Sequence, residues 1–127
     1  MPDKASQKTG SAFVFKVTLV DSKPPIWRRV QVPGGLSLHS FHLIIQAAMG
    51  WTNGRPYVFR IGETDYRLPN EDEGEDYEEF EHSKKKRLRE VVTGPKMVFN
   101  YTYDLEDDWN HEIVVEKTGL PSRPYPE

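Results

Sequence analysis

The sequence of 127 residues contains no cysteine. This absence excludes disulfides, thiolate zinc sites, iron–sulfur clusters and a cysteine nucleophile. No apolar run approaches the roughly 18 residues that a membrane-spanning helix needs. The N-terminal residues 1–11 are polar and lack the apolar centre of a signal peptide. We therefore expect a cytoplasmic protein that does not enter a membrane.

The motifs of several enzyme classes are also missing. There is no phosphate-binding glycine loop, no serine nucleophile elbow and no dinucleotide fingerprint. We therefore assign no catalytic residue, metal ligand or cofactor, and we favour a non-enzymatic function. His39 and His42 lie three residues apart, but zinc would need a third ligand, and histidines at a helix start more often pack against a surface or a partner.

Charge is concentrated in two adjacent runs. Residues 71–81 carry eight carboxylates, so that at a net charge of −3 the rest of the chain is mildly basic. A basic run follows, and its members are Lys84, Lys85, Lys86, Arg87 and Arg89. Such runs are usually solvated loops, which is the interpretation we favour. The alternative is contact with nucleic-acid phosphates, for which the cations must share one face.

The hydrophobic pattern predicts two strands and a helix in the first half of the chain. Alternation over residues 12–20 and 26–33 is typical of strands, and the short DSKPP segment between them favours an antiparallel hairpin. Ser37 is a candidate N-cap for a helix over residues 38–49, and Gly50 is a candidate stop signal. Trp51, directly after that stop, is expected to plug the edge of the core.

The second half of the chain continues with shorter segments. In order, they are two strands around Gly62 in residues 57–68, an acidic loop in 70–83, one or two helical turns in 85–92, and strands in 96–104 and 109–117. The order of segments predicts a two-layer α+β domain, with a mixed, mostly antiparallel sheet of about five or six strands and one main helix across one face. A ubiquitin-like roll is one topology that fits.

These segments also give the expected domain bounds. A single domain is predicted over residues 12–117, preceded by a disordered arm in 1–11 and followed by a proline-rich tail in 118–127. An exposed sheet edge would allow a weak homodimer, and the alternative is a monomer.

The stretch YTYDLEDDWNHEI, residues 101–113, places four carboxylates between two strand-like runs. We favour a hairpin turn, since aspartates accept backbone N–H groups and tolerate turn geometry. Two alternatives stay open, which are a polar binding site and a metal-dependent, hydrolase-like site made by Asp104, Asp107 and His111. Trp109 and His111 share one face of the second strand.

The WRR segment places Arg28 and Arg29 on opposite faces of a strand, which weakens the case for a joint phosphate-binding patch. Either arginine could form a bidentate ion pair with Asp104 or Asp107 and so hold the first hairpin to the last. In that case the motif that looks functional would be mainly architectural.

Four ordered pieces carry a resemblance to a known family. They are PPIWRRVQVP (24–33), LSLHSFHLIIQAAMGW (36–51), YVFRIGETDY (57–66) and FNYTYDLEDDWNHEIVVE (99–116). Together they resemble the Orf3-like proteins, a family named for the third open reading frame of plasmid pRiA4b. The resemblance implies an α+β fold, no established activity, and occurrence alone or beside other modules in bacteria, archaea and mobile elements.

The chain departs from the family pattern at four positions, one of which is Asn110, where the family has a glutamate. Arg55 and Tyr57 stand where the family tends to carry two histidines, so a metal or acid–base role built on those histidines does not apply here. Glu106 stands where the family has a glycine, and the turn geometry is expected to differ because only glycine adopts a positive φ freely.

The function we favour is a protein or peptide interaction module that binds through the sheet edge or through the end that holds Asp104 and Trp109. The candidate binding residues are Arg28, Arg29, Trp51, Asp104, Asp107, Trp109 and His111. The first alternative is an accessory protein of mobile DNA that binds nucleic acid through the basic run. The second is the hydrolase-like site described above.

Overall fold

The computed structural model describes residues 11–69 and 80–121, and its strands form one open sheet of seven members. Its elements in chain order are β1 (Ser11–Leu19), β2 (Ile26–Pro33), α1 (Leu38–Met49), β3 (Tyr57–Ile61), β4 (Thr64–Arg67), β5 (Glu81–His82), α2 (Leu88–Val91), β6 (Val98–Tyr103) and β7 (Trp109–Pro121). The strand order is β2-β1-β7-β6-β3-β4-β5. Among the described strands only β4 and β5 pair in parallel, so the predicted mixed, mostly antiparallel α+β fold is confirmed.

The first hairpin forms where the alternating pattern predicts it. β1 and β2 pair antiparallel, with Leu19 opposite Ile26 at the turn. The hydroxyl of Ser22 closes this turn, because it donates to the Leu19 carbonyl at 3.1 Å and accepts from the Ile26 N–H at 2.8 Å. A local side-chain contact thus fixes the register of the pair.

Helix α1 begins and ends at the two predicted capping residues. The Ser37 hydroxyl accepts the Ser40 N–H at 3.1 Å, and Gly50 ends the helix with φ +81°. The N–H groups of Leu38 and His39 donate to carbonyls of the loop after β5, those of residues 86 and 83, at 2.9 and 3.1 Å. These donors at the helix start are therefore satisfied within the fold.

The hydrophobic core lies between α1 and one face of the sheet. Phe41 packs on Phe15 and Phe59, with ring centroids 4.6 and 5.6 Å apart. One row of this face crosses four strands through Leu19, His111, Tyr101 and Phe59. This row places a buried imidazole and a phenol directly under the helix.

The element bounds differ from the prediction at three places. Residues 81–82, expected within the acidic loop, form β5 beside Tyr66 and Arg67, which brings the sheet to seven strands. Ser11, expected in the N-terminal arm, belongs to β1, and β7 continues to Pro121 through the first residues of the expected tail. Ser11 and Pro121 pair with each other. Such pairings join residues far apart in sequence, so local periodicity does not reveal them.

Residues 1–10, 70–79 and 122–127 lie outside the described part of the chain, and with them most of the predicted arm, acidic loop and tail. Within the described part, neither helix combines the length and apolarity that crossing a membrane requires.

Candidate functional site

A pocket of about 400 Å³ opens where α1 begins, beside the segment that links α1 to β3. Its polar lining comes from His39, His42, Asn53, Arg55 and Tyr57, and its apolar lining from Pro56, Leu68 and Pro69. The two histidines lie on neighbouring turns of α1 because of their three-residue spacing. Tyr57 is the first residue of β3. Its side chain lies on the buried face of the sheet, as those of Phe59 and Ile61 do.

Behind the pocket, four side chains and one backbone N–H close a ring of hydrogen bonds. Gln46 Nε2 donates to the Tyr101 hydroxyl at 2.8 Å, and that hydroxyl lies 2.7 Å from His42 Nδ1. His42 Nε2 lies 2.6 Å from Asn53 Oδ1, and the Asn53 N–H donates to Gln46 Oε1 at 2.7 Å. Because Asn53 Oδ1 can only accept, His42 carries its proton on Nε2, and Nδ1 accepts from Tyr101.

This ring requires a neutral His42. Burial is the main cause that lowers its pKa to about 4, and the hydrogen bond to Asn53 opposes part of that change. The imidazole also stacks on Tyr57, with the ring centroids 3.7 Å apart and the planes 9° apart. Each polar atom of the His42 ring has a partner, so His42 is suited to supporting the pocket rather than binding a metal there.

A second chain of hydrogen bonds reaches the pocket through His39. Its Nδ1 lies 2.9 Å from the Tyr57 hydroxyl, which lies 2.6 Å from Ser83 Oγ. Burial raises the pKa of Tyr57 to about 12. The pKa of His39 is lowered, mainly by partial burial and then by the charges of Lys84 and His82. His39 is therefore neutral at pH 7, and its Nε2 makes no hydrogen bond within the described residues.

Asp104 organises the turn between β6 and β7. It has φ +64°, its Oδ1 accepts the N–H groups of Glu106 and Asp107 at 3.3 and 3.4 Å, and its carbonyl accepts those of Asp107 and Asp108. Its Oδ2 lies 3.8 Å from Arg55 Nε. Asp104 therefore lies in a hairpin turn, which is the structure favoured from the sequence, and its contacts hold that turn. Asp107 is exposed to solvent.

His111 is buried and has both ring nitrogens engaged. Nδ1 lies 3.2 Å from the Tyr101 carbonyl, and Nε2 accepts from Trp51 Nε1 at 3.4 Å. Burial lowers the pKa of His111. Among residues 11–69 and 80–121, no group of three histidines or carboxylates is placed to hold a metal ion. A hydrolase-like site of Asp104, Asp107 and His111 would need an imidazole nitrogen that can bind a metal or a proton, and both nitrogens of His111 are already hydrogen-bonded.

Trp51 and Trp109 form an aromatic pair at the same end of the sheet, named here the tryptophan pair. Their ring centroids lie 5.3 Å apart, and Trp51 also packs against Tyr103 at 5.7 Å. Trp109 is 41% exposed, and Leu105 in the adjoining turn is 44% exposed. Trp51 plugs the core edge as predicted, and Trp109 gives the pair an outward surface.

Arg28 and Arg29 lie elsewhere and make other contacts than expected. Arg28 Nε donates to the Ala48 carbonyl near the end of α1 at 3.1 Å. Arg29 makes a bidentate pair with Glu116 at 2.6 and 3.2 Å. Two strands, β1 and β7, lie between β2 and β6, and neither arginine pairs with Asp104 or Asp107. They do lie on opposite faces of β2, as predicted.

Arg29 and Glu116 line a larger, shallower groove of about 840 Å³ on the other face of the sheet, with Val14 and Val114 among its apolar lining. Arg29 and Glu116 pair with each other, and Lys96 and Lys117 also line the groove, so its charged lining is cationic overall.

The basic run follows β5 and packs against the start of α1. Lys84, Lys85, Arg87 and Arg89 are exposed. Arg87 also donates to the Gly35 carbonyl at 2.6 Å, so part of the run fastens the loop to the fold. Lys84 is close enough to His39 to influence its pKa.

The prediction from sequence does not include four residues of the hydrogen-bond networks beside the pocket, which are Gln46, Asn53, Ser83 and Tyr101. One signal was present, because His42 and Gln46 are polar residues at i and i+4 on the helix face that is otherwise apolar. Asn53 and Ser83 come from distant loops, and no local pattern marks them.

Comparisons with known proteins agree with this description. The family model for plasmid pRiA4b ORF-3-like protein matches residues 11–126. The uncharacterized protein y4hQ of Sinorhizobium fredii (strain NBRC 101917 / NGR234) is 40% identical over 110 residues, which are 85% of this chain and 55% of that protein. The crystal structure of a protein of unknown function, MM3350 from Methanosarcina mazei Go1, is similar with a TM-score of 0.74 at 25% identity, over 93% of this chain and 65% of that one. The chain thus spans less than two thirds of the length of each.

Proposed function

The chain belongs to the plasmid pRiA4b ORF-3-like family, and we propose that it is a non-enzymatic module that binds a polypeptide partner through the tryptophan pair and the acidic turn beside it. The observation that carries the proposal is the exposure of Trp109, 41% of whose surface faces solvent although its ring packs on Trp51. Large aromatic side chains that are partly exposed and firmly supported supply much of the energy of protein interfaces.

Hydrogen bonds and ring packing hold the pair in place without a partner. Trp51 donates its indole N–H to the buried His111, and Tyr103 beneath it accepts the Gly54 N–H at 2.8 Å. Side chains that are already fixed lose little conformational entropy on binding, so more of the contact energy appears as affinity.

The charge around the pair favours a basic partner segment. Glu106, Asp107 and Asp108 are exposed in the turn next to Trp109, and they make no ion pair within the described residues. A lysine or arginine side chain would meet a negative rim and an aromatic face at the same place, which combines charge complementarity with a cation–π contact. We therefore expect a partner segment with a basic residue beside an apolar one.

The chain offers a matched control for testing this surface. Trp27 is 40% exposed and lies on β2, which β1 separates from β7, the strand of Trp109. Immobilised wild type, Trp109→Ala and Trp27→Ala are compared as baits for proteins from the source cells, with identification by mass spectrometry. We expect a partner that the wild type and Trp27→Ala retain and that Trp109→Ala loses. Equal retention by all three folded baits would contradict the proposal.

Nucleic-acid binding through the basic run is a second candidate, favoured by the exposure of Lys84, Lys85, Arg87 and Arg89 in one short segment. The experiment titrates the protein into labelled duplex DNA and single-stranded RNA at two salt concentrations and follows fluorescence anisotropy. Binding that weakens steeply with salt supports this candidate, since phosphate contacts release counterions. The absence of binding at low salt would remove it.

A further inference from the structure

We infer that the pocket at the start of α1 is a binding site for a small carboxylate, which Arg55 and His39 hold while its hydrocarbon body lies against Leu68 and Pro69. The pocket adjoins the acidic turn through the contact of Arg55 with Asp104, but neither member of the tryptophan pair lines it. The inference goes beyond the proposed function, because a free carboxylic acid can fill the pocket whether or not a polypeptide partner is bound.

The size and the lining of the pocket suit such a ligand. Its volume of about 400 Å³ falls in the range of small-molecule sites. Among the described residues that line the pocket there is no carboxylate, and Arg55 is the one that is always charged. Pro56, Leu68 and Pro69 give one side an apolar surface on which a short alkyl or aryl group would be buried.

Arg55 has donors to spare. Its side chain is 61% exposed, and its Nε lies 3.8 Å from Asp104 Oδ2, too far for a direct hydrogen bond. Its two terminal nitrogens make no hydrogen bond within the described residues. A guanidinium that presents two parallel donors matches the two oxygens of a carboxylate, which makes this recognition bidentate.

His39 supplies a second donor in one of its two neutral tautomers. When the Tyr57 hydroxyl donates to Nδ1, which lies 2.9 Å away, the hydrogen of the imidazole is on Nε2 and faces the ligand. The charged or titratable groups around it are His42, Tyr57, His82, Lys84, Arg55 and, behind Arg55, Asp104. Lys84 and His82 both disfavour the imidazolium, and the cation of Lys84 favours an anion beside His39.

The charge of the site favours one negative charge over two. Arg55 is partly compensated by Asp104, and His39 is neutral at pH 7. The N–H groups of Leu38 and His39 at the start of α1 already donate to loop carbonyls, so the helix terminus does not add donors for a phosphate. A monovalent carboxylate therefore fits better than a dianionic phosphate.

The test is an NMR titration of the full chain with acetate and with butyrate, against inorganic phosphate and against sodium chloride at equal ionic strength. The signals followed are the His39 ring and the Arg55 Nε–H group. We expect saturable shifts with both carboxylates and tighter binding of butyrate, because its longer chain buries more apolar surface. The pKa of His39 should rise when acetate is bound, since the anion stabilises the imidazolium.

A matched pair of variants assigns the effect to the pocket. Arg55→Gln should weaken carboxylate binding about tenfold or more, as expected for the loss of a charge-assisted pair of hydrogen bonds. Arg60→Gln is the control, because Arg60 is 60% exposed and is also paired with an aspartate, but it lies on the other face of the sheet. Should Arg55→Gln fail to fold, His39→Gln takes its place. The rise of the His39 pKa on addition of acetate to the wild type then still reports binding in the pocket.

Three outcomes would overturn the inference. They are shifts that stay linear and match those caused by chloride, equal weakening by Arg60→Gln, and tighter binding of phosphate than of butyrate. The Trp109→Ala variant should bind carboxylates as the wild type does. Trp109→Ala is expected to lose the polypeptide partner and to keep carboxylate binding. Arg55→Gln is expected to lose carboxylate binding and to keep the partner. The two assays therefore show which of the two proposals fails.

Discussion

Acidification should destabilise the protein through His42, the imidazole in the buried hydrogen-bond ring. A proton added at Nδ1 would face the Tyr101 hydroxyl, which already accepts from Gln46. The hydroxyl would then have two donors and no acceptor for its own hydrogen. The ring therefore tolerates only neutral His42, and protonation must be coupled to its opening or to unfolding.

The magnitude follows from the two pKa values of His42. In the unfolded chain the imidazole has its ordinary pKa of 6.5, whereas in the folded protein burial lowers the pKa to about 4. Between these values the unfolded state binds more protons, so stability is complete above pH 6.5 and falls as the pH drops toward 4. Each tenfold change in proton affinity is worth about 1.4 kcal/mol, so acidification to pH 4 removes about 3 kcal/mol through His42 alone.

The assay is urea unfolding at intervals from pH 7.5 to pH 4, together with an NMR titration that follows each histidine. Burial also lowers the pKa of His39 and His111, so they add a loss of the same sign, and the residue-resolved titration separates the shares. His82→Gln is the control, because His82 lies on the edge strand β5 and outside the ring. The pKa of His82 is also lowered, mainly by burial, so this variant measures the share of a histidine that is not in the ring. We expect this variant to keep the steep pH dependence and His42→Gln to flatten it.

Two results would refute the reasoning about the ring. One is a His42 imidazole that titrates near pH 6.5 in the folded protein, which would mean that its nitrogens are not confined to neutral partners. The other is a free energy of unfolding that stays constant from pH 6.5 to pH 4.5 in the wild type.

Three further predictions concern single substitutions, each measured by urea or thermal unfolding at pH 7.5. Tyr101→Phe should cost roughly 2–4 kcal/mol, because it leaves a buried imidazole and a buried amide without their shared partner; a cost under about 1 kcal/mol would mean that water replaces the hydroxyl. Gly50→Ala should cost about 1 kcal/mol, since the cap has φ +81° and open space around it, and no change would contradict the left-handed cap. Glu116→Gln should leave the unfolding midpoint nearly unchanged although Arg29 contacts it at 2.6 Å, because the pair is solvated, and a large drop would show that it ties the strands together.

Local signals in the sequence predicted most of the elements. The β1–β2 hairpin and α1 were found within a residue of their bounds, because alternation, the Ser37 cap and the Gly50 stop all act within a few residues. The turn at Asp104 was favoured for the same reason, since an aspartate bonds to N–H groups only two and three residues ahead.

The ends of the sheet escaped prediction because they depend on distant partners. β5 has only two residues and exists by pairing with β4, and the last residues of β7 pair with the first residues of β1. The partners expected for Arg29 and Asp104 were wrong for a related reason. Opposite charges were visible in the sequence, but the tertiary structure determines which of them meet, and it places Glu116 beside Arg29 and Arg55 beside Asp104.

The sequence by itself determined the element types, the caps of α1 and the face on which each strand residue lies, because these depend on periods of two and 3.6 residues and on short-range hydrogen bonds. Only the tertiary structure decided that β7 lies between β1 and β6, and that His39, His42, Arg55 and Ser83 converge at one end. The hydrogen-bond ring that requires neutral His42 joins a helix, a loop and the sheet. Its members lie up to 59 residues apart. They meet because burial of the apolar helix face brings the elements together, and polar groups that are buried with it form hydrogen bonds to one another.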